Sequence, residues 1–203
     1  YDDLYWNTGI STYVEKLETQ STASASMKKQ EGSDFDAYFN QTFNYDKRNQ
    51  RFKTTDGFIS RFSQNIPLIS DTYTLTNAYD YKIYNQWLDE NIVSLGFHLK
   101  STNSLNGENV KLSNRLNLPA SKLRGFEAGK VGPKDGLSFI GGNYTSSINI
   151  ATTLPQVLPA LQNTNFSGFF DAANIWWIDY NSSLADDSKI RSSIGIAVDF
   201  YTP

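Results

Sequence analysis

The sequence has no cysteine, one histidine (His98) and one methionine (Met27). Without thiols there is no disulfide framework and no thiolate zinc site. A lone histidine cannot form an HExxH metal helix, and no Walker loop or other metal-ligand cluster is present. His98 stands beside Lys100 on the polar side of an alternating run, where it reads as a structural residue rather than a catalytic base. An excess of positive charge is also missing: 18 Lys and Arg face 21 Asp and Glu, for a net charge of −3, whereas a nucleic-acid binder would normally be basic. Long apolar runs are absent too, and nothing approaches the ~18 residues of a membrane-spanning helix. We expect no enzyme activity, no cofactor or metal, and no nucleic-acid partner. Tyr1 is followed by no basic and apolar leader. The chain stops at Thr202-Pro203 directly after a strand-like run, so we expect an internal piece of a longer protein.

What is present is aromatic. Phe, Trp and Tyr make up 14% of the 203 residues, which excludes a disordered chain. Mean hydropathy is nevertheless low, at −0.47. A membrane protein can reconcile the two only with alternating strands. From Asp34 to Asp46, Phe35, Ala37, Phe39, Phe43 and Tyr45 share one parity, broken only by Gln41; the other carries Asp34, Asp36, Asn40, Thr42 and Asn44, with Tyr38 the exception. Period-two alternation places the sets on opposite faces of a strand. Similar runs span Thr72–Tyr84, Ile92–Lys100 and Ile190–Phe200, and weaker ones Leu4–Val14, Gly57–Ile66, Asn143–Leu154 and Phe166–Trp177, giving eight strands. Most are longer than the ~5–6 residues common in soluble sheets and match the ~9–11 of a tilted membrane strand. Short links at 47–56, 85–91 and 155–165 alternate with longer ones at 15–33, 101–142 and 178–189, with 65–71 a short exception, as in barrels with turns on one side and loops on the other. Asp186-Asp187 in the last link reads as a solvated loop tip, and the Asn-X-Ser/Thr triplets at Asn143, Asn165 and Asn181 as chance. Tyr5, Trp6, Tyr45, Tyr73, Tyr84, Trp87, Trp176 and Trp177 sit near strand ends. An interfacial girdle and ordinary strand propensity explain them equally well.

The 101–142 link exceeds the ~12–15 residues of ordinary loops. It holds Leu123-Arg124-Gly125-Phe126, then Gly129, Gly132-Pro133-Lys134 and Gly141-Gly142-Asn143, a glycine density that points to an ordered loop. These residues resemble the outer-membrane assembly and transporter superfamily, and within it the BamA family, whose sixth extracellular loop carries (V/I/L)-R-G-(F/Y). Phe170-Asp171-Ala172-Ala173-Asn174-Ile175-Trp176 is similar to the family's F-x-D-x-G-x-V-W strand, Asp46 through Gly57 to its D-x-R…P-T-x-G turn, and Gly195 through Pro203 to the strand that follows. The four matches occur in the family's order and span most of the chain from about Phe35.

The resemblance implies an all-β antiparallel transmembrane barrel in the bacterial outer membrane. Residues 1–203 would form part of its barrel domain: strands seven to fourteen of sixteen, with the long loop inserted into the lumen. POTRA domains, the first six strands and the last two would lie outside it. Two open edges would make the isolated piece aggregate. The implied function is non-covalent insertion of β-barrel proteins into the membrane. The implied partners are outer-membrane lipids, unfolded β-barrel clients and assembly-complex lipoproteins. A two-partner secretion transporter of the same superfamily, or a passive porin or surface adhesin, are the alternatives. By the resemblance Arg124 locks the loop to an inner-wall carboxylate, Asp171. Its planar donor fork suits a bidentate carboxylate contact. Gly125 would allow close backbone approach, and Phe126 would anchor the tip. The sequence departs from the family at Ala151, where a glutamate is usual, and at Ala173, where a glycine is usual.

Overall fold

In a computed structural model of the protein, residues 3–88, 91–154, 164–179 and 188–200 are described. The long strands are β1 (Leu4–Leu17), β2 (Gly32–Asp46), β3 (Gly57–Ile69), β4 (Thr74–Leu88), β5 (Asn91–Ser104), β8 (Tyr144–Thr153), β9 (Thr164–Trp176) and β10 (Arg191–Phe200). Between β5 and β8 the loop contains a minimal hairpin, β6 (Lys134–Asp135) with β7 (Ser138–Phe139). The long strands form one antiparallel sheet in chain order, β1-β2-β3-β4-β5-β8-β9-β10, with both edges open among the described residues. The shortest of them has 10 residues and the longest 15 residues. All are therefore long enough to cross a hydrocarbon layer while tilted.

The register turns single-strand alternation into two continuous faces. Trp6, Phe43, Phe62, Tyr79 and Leu99 form one row, and Ile83, Leu95, Ile150, Phe170 and Ile194 another. These side chains remain uncovered, Trp6 at 62% and Ile194 at 84% exposure. An apolar face of this extent is not stable against water and requires hydrocarbon. The opposite face carries rows such as Asn44, Arg61, Asp80, His98, Ser147 and Ala173.

The strands run past the apolar stripe that marks them in the sequence. β1 continues to Leu17, β3 to Ile69 and β5 to Ser104, because ladder hydrogen bonds do not stop where apolar side chains do. Pro67 lies within β3, opposite Tyr38, where β2 has a register shift between Ala37 and Tyr38. A proline has no N–H to give to a ladder and is tolerated at such an irregularity. Tyr73, inside the alternating run Thr72–Tyr84, instead precedes β4 with φ of 41°. The 15–33 link holds a one-turn helix, α1 (Ala25–Lys28), that no pattern in the sequence announces. Ser24 caps it by accepting from the Met27 N–H at 3.2 Å. The same hydroxyl donates to Asp135 of β6 at 2.5 Å. The 47–56 turn is closed by Arg48, which donates Nε and Nη2 to the two oxygens of Asp46, both at 2.8 Å. Asp186, Asp187, Asn181, most of the 155–165 link and Thr202-Pro203 lie outside the described residues.

Candidate functional site

The loop between β5 and β8 folds back onto the polar face and is held there at three places. At its tip, Arg124 donates Nε to Asp171 Oδ2 and Nη2 to Asp171 Oδ1, each at 2.7 Å, and its backbone N–H to Oδ2 at 3.0 Å. Asn149 on β8 adds a fourth bond, Nδ2 to Asp171 Oδ1 at 2.8 Å, and also reaches the Lys122 carbonyl at 2.9 Å. The Asp171 side chain is fully buried. The Arg124 guanidinium also lies over the Phe169 ring, 3.7 Å from its centroid. There the ring's negative face attracts the cation. A buried carboxylate satisfied by a bidentate arginine and an amide is a strong, directional lock.

This packing explains the poor alternation of β9. Phe169, Asp171, Ala173 and Ile175 share one parity because that face is the loop's dock. Ala173 and Ile175 form a buried cluster with Leu118, Leu123 and Val131, with Phe126 packed against it. A strand face that meets both a cation and an apolar loop cannot show a clean polar stripe. Ala173 stands where the family pattern has glycine, and its methyl is buried in this cluster. Ala151 lines the polar-face cavity with Arg124, and the amide of Asn149, one pleat along the strand, contacts Asp171.

The loop glycines act in different ways. Gly125 has φ of 82°, but a side chain there would meet only Ser193 Cβ, at 3.9 Å. Its role is the left-handed backbone, so the expected close approach to the wall is corrected. Close approach belongs to Gly132, with φ of 102°, where a Cβ would fall 2.8 Å from Ile175 Cβ. Pro133 beside it is fully buried. Gly129 lies in open space, whereas Gly141 and Gly142 press the loop's end against the Leu116 and Trp176 carbonyls.

Two anchors were not read from the sequence. Lys122 Nζ lies 2.6 Å from Asp80 Oδ1 on β4, and the same oxygen is 2.8 Å from His98 Nδ1 on β5. At the loop's base, Arg115, with no side-chain exposure, donates to Asp179 Oδ1 at 2.7 Å, the Val110 carbonyl at 3.0 Å and Asn143 Oδ1 at 3.2 Å. Asp179 Oδ2 accepts in turn from the Val110 N–H at 2.7 Å. No sequence motif announces either anchor. Beneath the tip is a cavity of about 590 Å³ with Arg61, Lys82, Lys122 and Arg124 in its lining. Among the described residues, no group of three or more His, Cys, Asp or Glu side chains is placed to hold a metal ion.

An open antiparallel sheet with one hydrocarbon-compatible face, and a loop locked to the other by arginine and aspartate, defines a narrow architecture. The Omp85 superfamily domain matches residues 2–203. The chain belongs to the Omp85 superfamily. A crystal structure of BamA from Haemophilus ducreyi lacking POTRA domains 1-3 superposes with a TM-score of 0.82 at 20% identity. The match covers 100% of this chain and 46% of that one, so the chain spans about half the length of the BamA chain it resembles. No curated protein matches the chain. As an Omp85 barrel wall, the sheet directs its apolar rows outward and the loop's dock toward the lumen.

Proposed function

We propose that the chain is the loop-bearing part of the barrel domain of an outer-membrane protein assembly factor. It acts without covalent chemistry, on unfolded β-barrel clients and with lipoprotein partners. The bidentate Arg124–Asp171 pair carries the reading. It makes the loop a fixed part of the lumen wall, and a passive pore would not need such a lock. In this reading the lock sets the open or closed state of the barrel, because a loop released from Asp171 frees the lumen it fills.

Reciprocal charge swaps in the full-length protein test this. Arg124→Asp and Asp171→Arg should each lower insertion of a reporter β-barrel protein and expose the loop to protease. The double swap should restore part of both. If neither single swap changes insertion or protease resistance, the assembly reading fails. Lost secretion of a dedicated soluble client with barrel insertion intact would point to a transporter of the superfamily instead.

A further inference from the structure

Gln41 breaks the apolar row of β2, and the register shows that it is not alone. It lies opposite Gln64 on β3, which lies opposite Asn77 on β4. Gln41 Nε2 donates to Gln64 Oε1 at 2.8 Å, and Gln64 Nε2 to Asn77 Oδ1 at 2.7 Å. This amide chain crosses three strands on the outward face, between the Phe43–Phe62–Tyr79 row and the Phe39–Ile66 row. Linked amides polarise one another, so the free end of the chain is a strengthened donor. That end is Asn77 Nδ2, which has no hydrogen-bond partner among the described residues. A donor left without a partner on the membrane face is costly, and the acceptors that a bilayer offers near the strand ends are its ester carbonyls.

The donor opens into a groove of about 230 Å³. Phe62, Tyr79, Tyr144 and Trp176 form its walls, and Asn77 and Ser101 its polar floor. The far wall is rigid: the Tyr144 hydroxyl donates to Asn103 Oδ1 at 2.7 Å, and its ring stacks on Trp176 and Trp177 with centroids 5.7 and 5.4 Å away. Such a slot is too small for a helix, whose diameter is about 10–12 Å, but fits a single alkyl chain. We propose that this groove is a lipid site: it holds one ester-linked acyl chain of a membrane lipid, whose carbonyl accepts from Asn77 Nδ2 and the Ser101 hydroxyl. The inference rests on the outer face meeting hydrocarbon and is independent of what the barrel assembles.

The test places the full-length protein in phosphatidylethanolamine vesicles whose acyl chains carry a diazirine, and maps photoadducts by mass spectrometry. Adducts at Tyr144 and Trp176 should exceed those at the outward controls Ile10 and Ile150 several-fold. Asn77→Leu and Ser101→Ala should each bring the groove down toward control level, and Gln64→Leu should lower it less. Heat-modified mobility on gels checks that each variant keeps its barrel. Uniform labelling of groove and controls means bulk lipid only and overturns the site. Groove labelling indifferent to Asn77→Leu and Ser101→Ala overturns it equally, as does a groove shielded from lipid by a second protein. An absence of adducts at Ile10 and Ile150 removes the membrane placement beneath it as well.

Discussion

The two arginine–aspartate pairs of the loop are alike in distance and opposite in burial. Arg124–Asp171 and Arg115–Asp179 both close at 2.7 Å. In the tip pair the acid is the buried member, at 0% against 29% for the arginine; in the base pair the arginine is buried, at 0% against 22% for the acid. Removing the exposed partner of such a pair strands a charge where water cannot reach it, whereas removing the buried partner leaves a charge that can hydrate. The tip pair joins loop to wall, and the base pair ties the loop to the segment after β9, while Arg115 also holds Val110 and Asn143 near the loop's two ends. One therefore sets where the loop sits, and the other whether it keeps its shape.

The largest expected effects follow from stranding a charge. Asp179→Ala should remove the carboxylate 2.7 Å from the buried Arg115, at a cost of about 3–5 kcal/mol, and Arg124→Ala should leave Asp171 with Asn149 and the backbone N–H of residue 124 but no cation, at a similar cost. Hydrogen exchange in the full-length barrel should separate the two, with protection lost throughout 105–143 for Asp179→Ala and mainly around the tip for Arg124→Ala. Equal and uniform loss would break the division of labour between the pairs. The reverse deletions, Arg115→Ala and Asp171→Ala, should cost less, about 1–3 kcal/mol, since the remaining partner can reach water. A reversed ranking would show that cavity formation outweighs stranded charge.

Gly132→Ala imposes a left-handed φ on an L-residue and a contact with Ile175, so about 1–3 kcal/mol of loop stability should be lost. Gly125→Ala meets only the backbone cost and should lose less. Thermal unfolding of the two variants compares them directly. The smallest effect belongs to Lys122→Ala. Its pair with Asp80 is partly exposed on both sides, at 27% and 37%. Such pairs contribute roughly 0–1 kcal/mol. A loop-release phenotype as severe as that of Arg124→Ala would make Lys122 a second lock rather than a guide.

Much of the wall was legible from spacing alone. The apolar parity of 35, 39, 43 and 45 becomes the outward row of β2. Where alternation failed, the failure was informative. Phe169 and Ile175 share the parity of Asp171 because their face docks the loop, and Gln41 sits among phenylalanines because two other amides meet it. Arg124 and Asp171 could be named because they lie inside motifs. Lys122 with Asp80, and Arg115 with Asp179, could not, since ordinary charged residues 42 and 64 positions apart have no local signature. Strand ends were also illegible, because the hydrogen-bond ladder outlasts the apolar stripe.

By itself, the sequence determined that this chain forms long two-faced strands, for side-chain direction alternates with each residue whatever lies beyond the strand. Through its motif it also nominated Arg124, though not Arg115, for an inward contact. The folded arrangement alone decided which carboxylate each cation meets, which glycine is pressed against the wall and which outward amides join across β2, β3 and β4. Those outcomes depend on the register between strands and on the path of a loop of some forty residues, and neither is encoded at any single position.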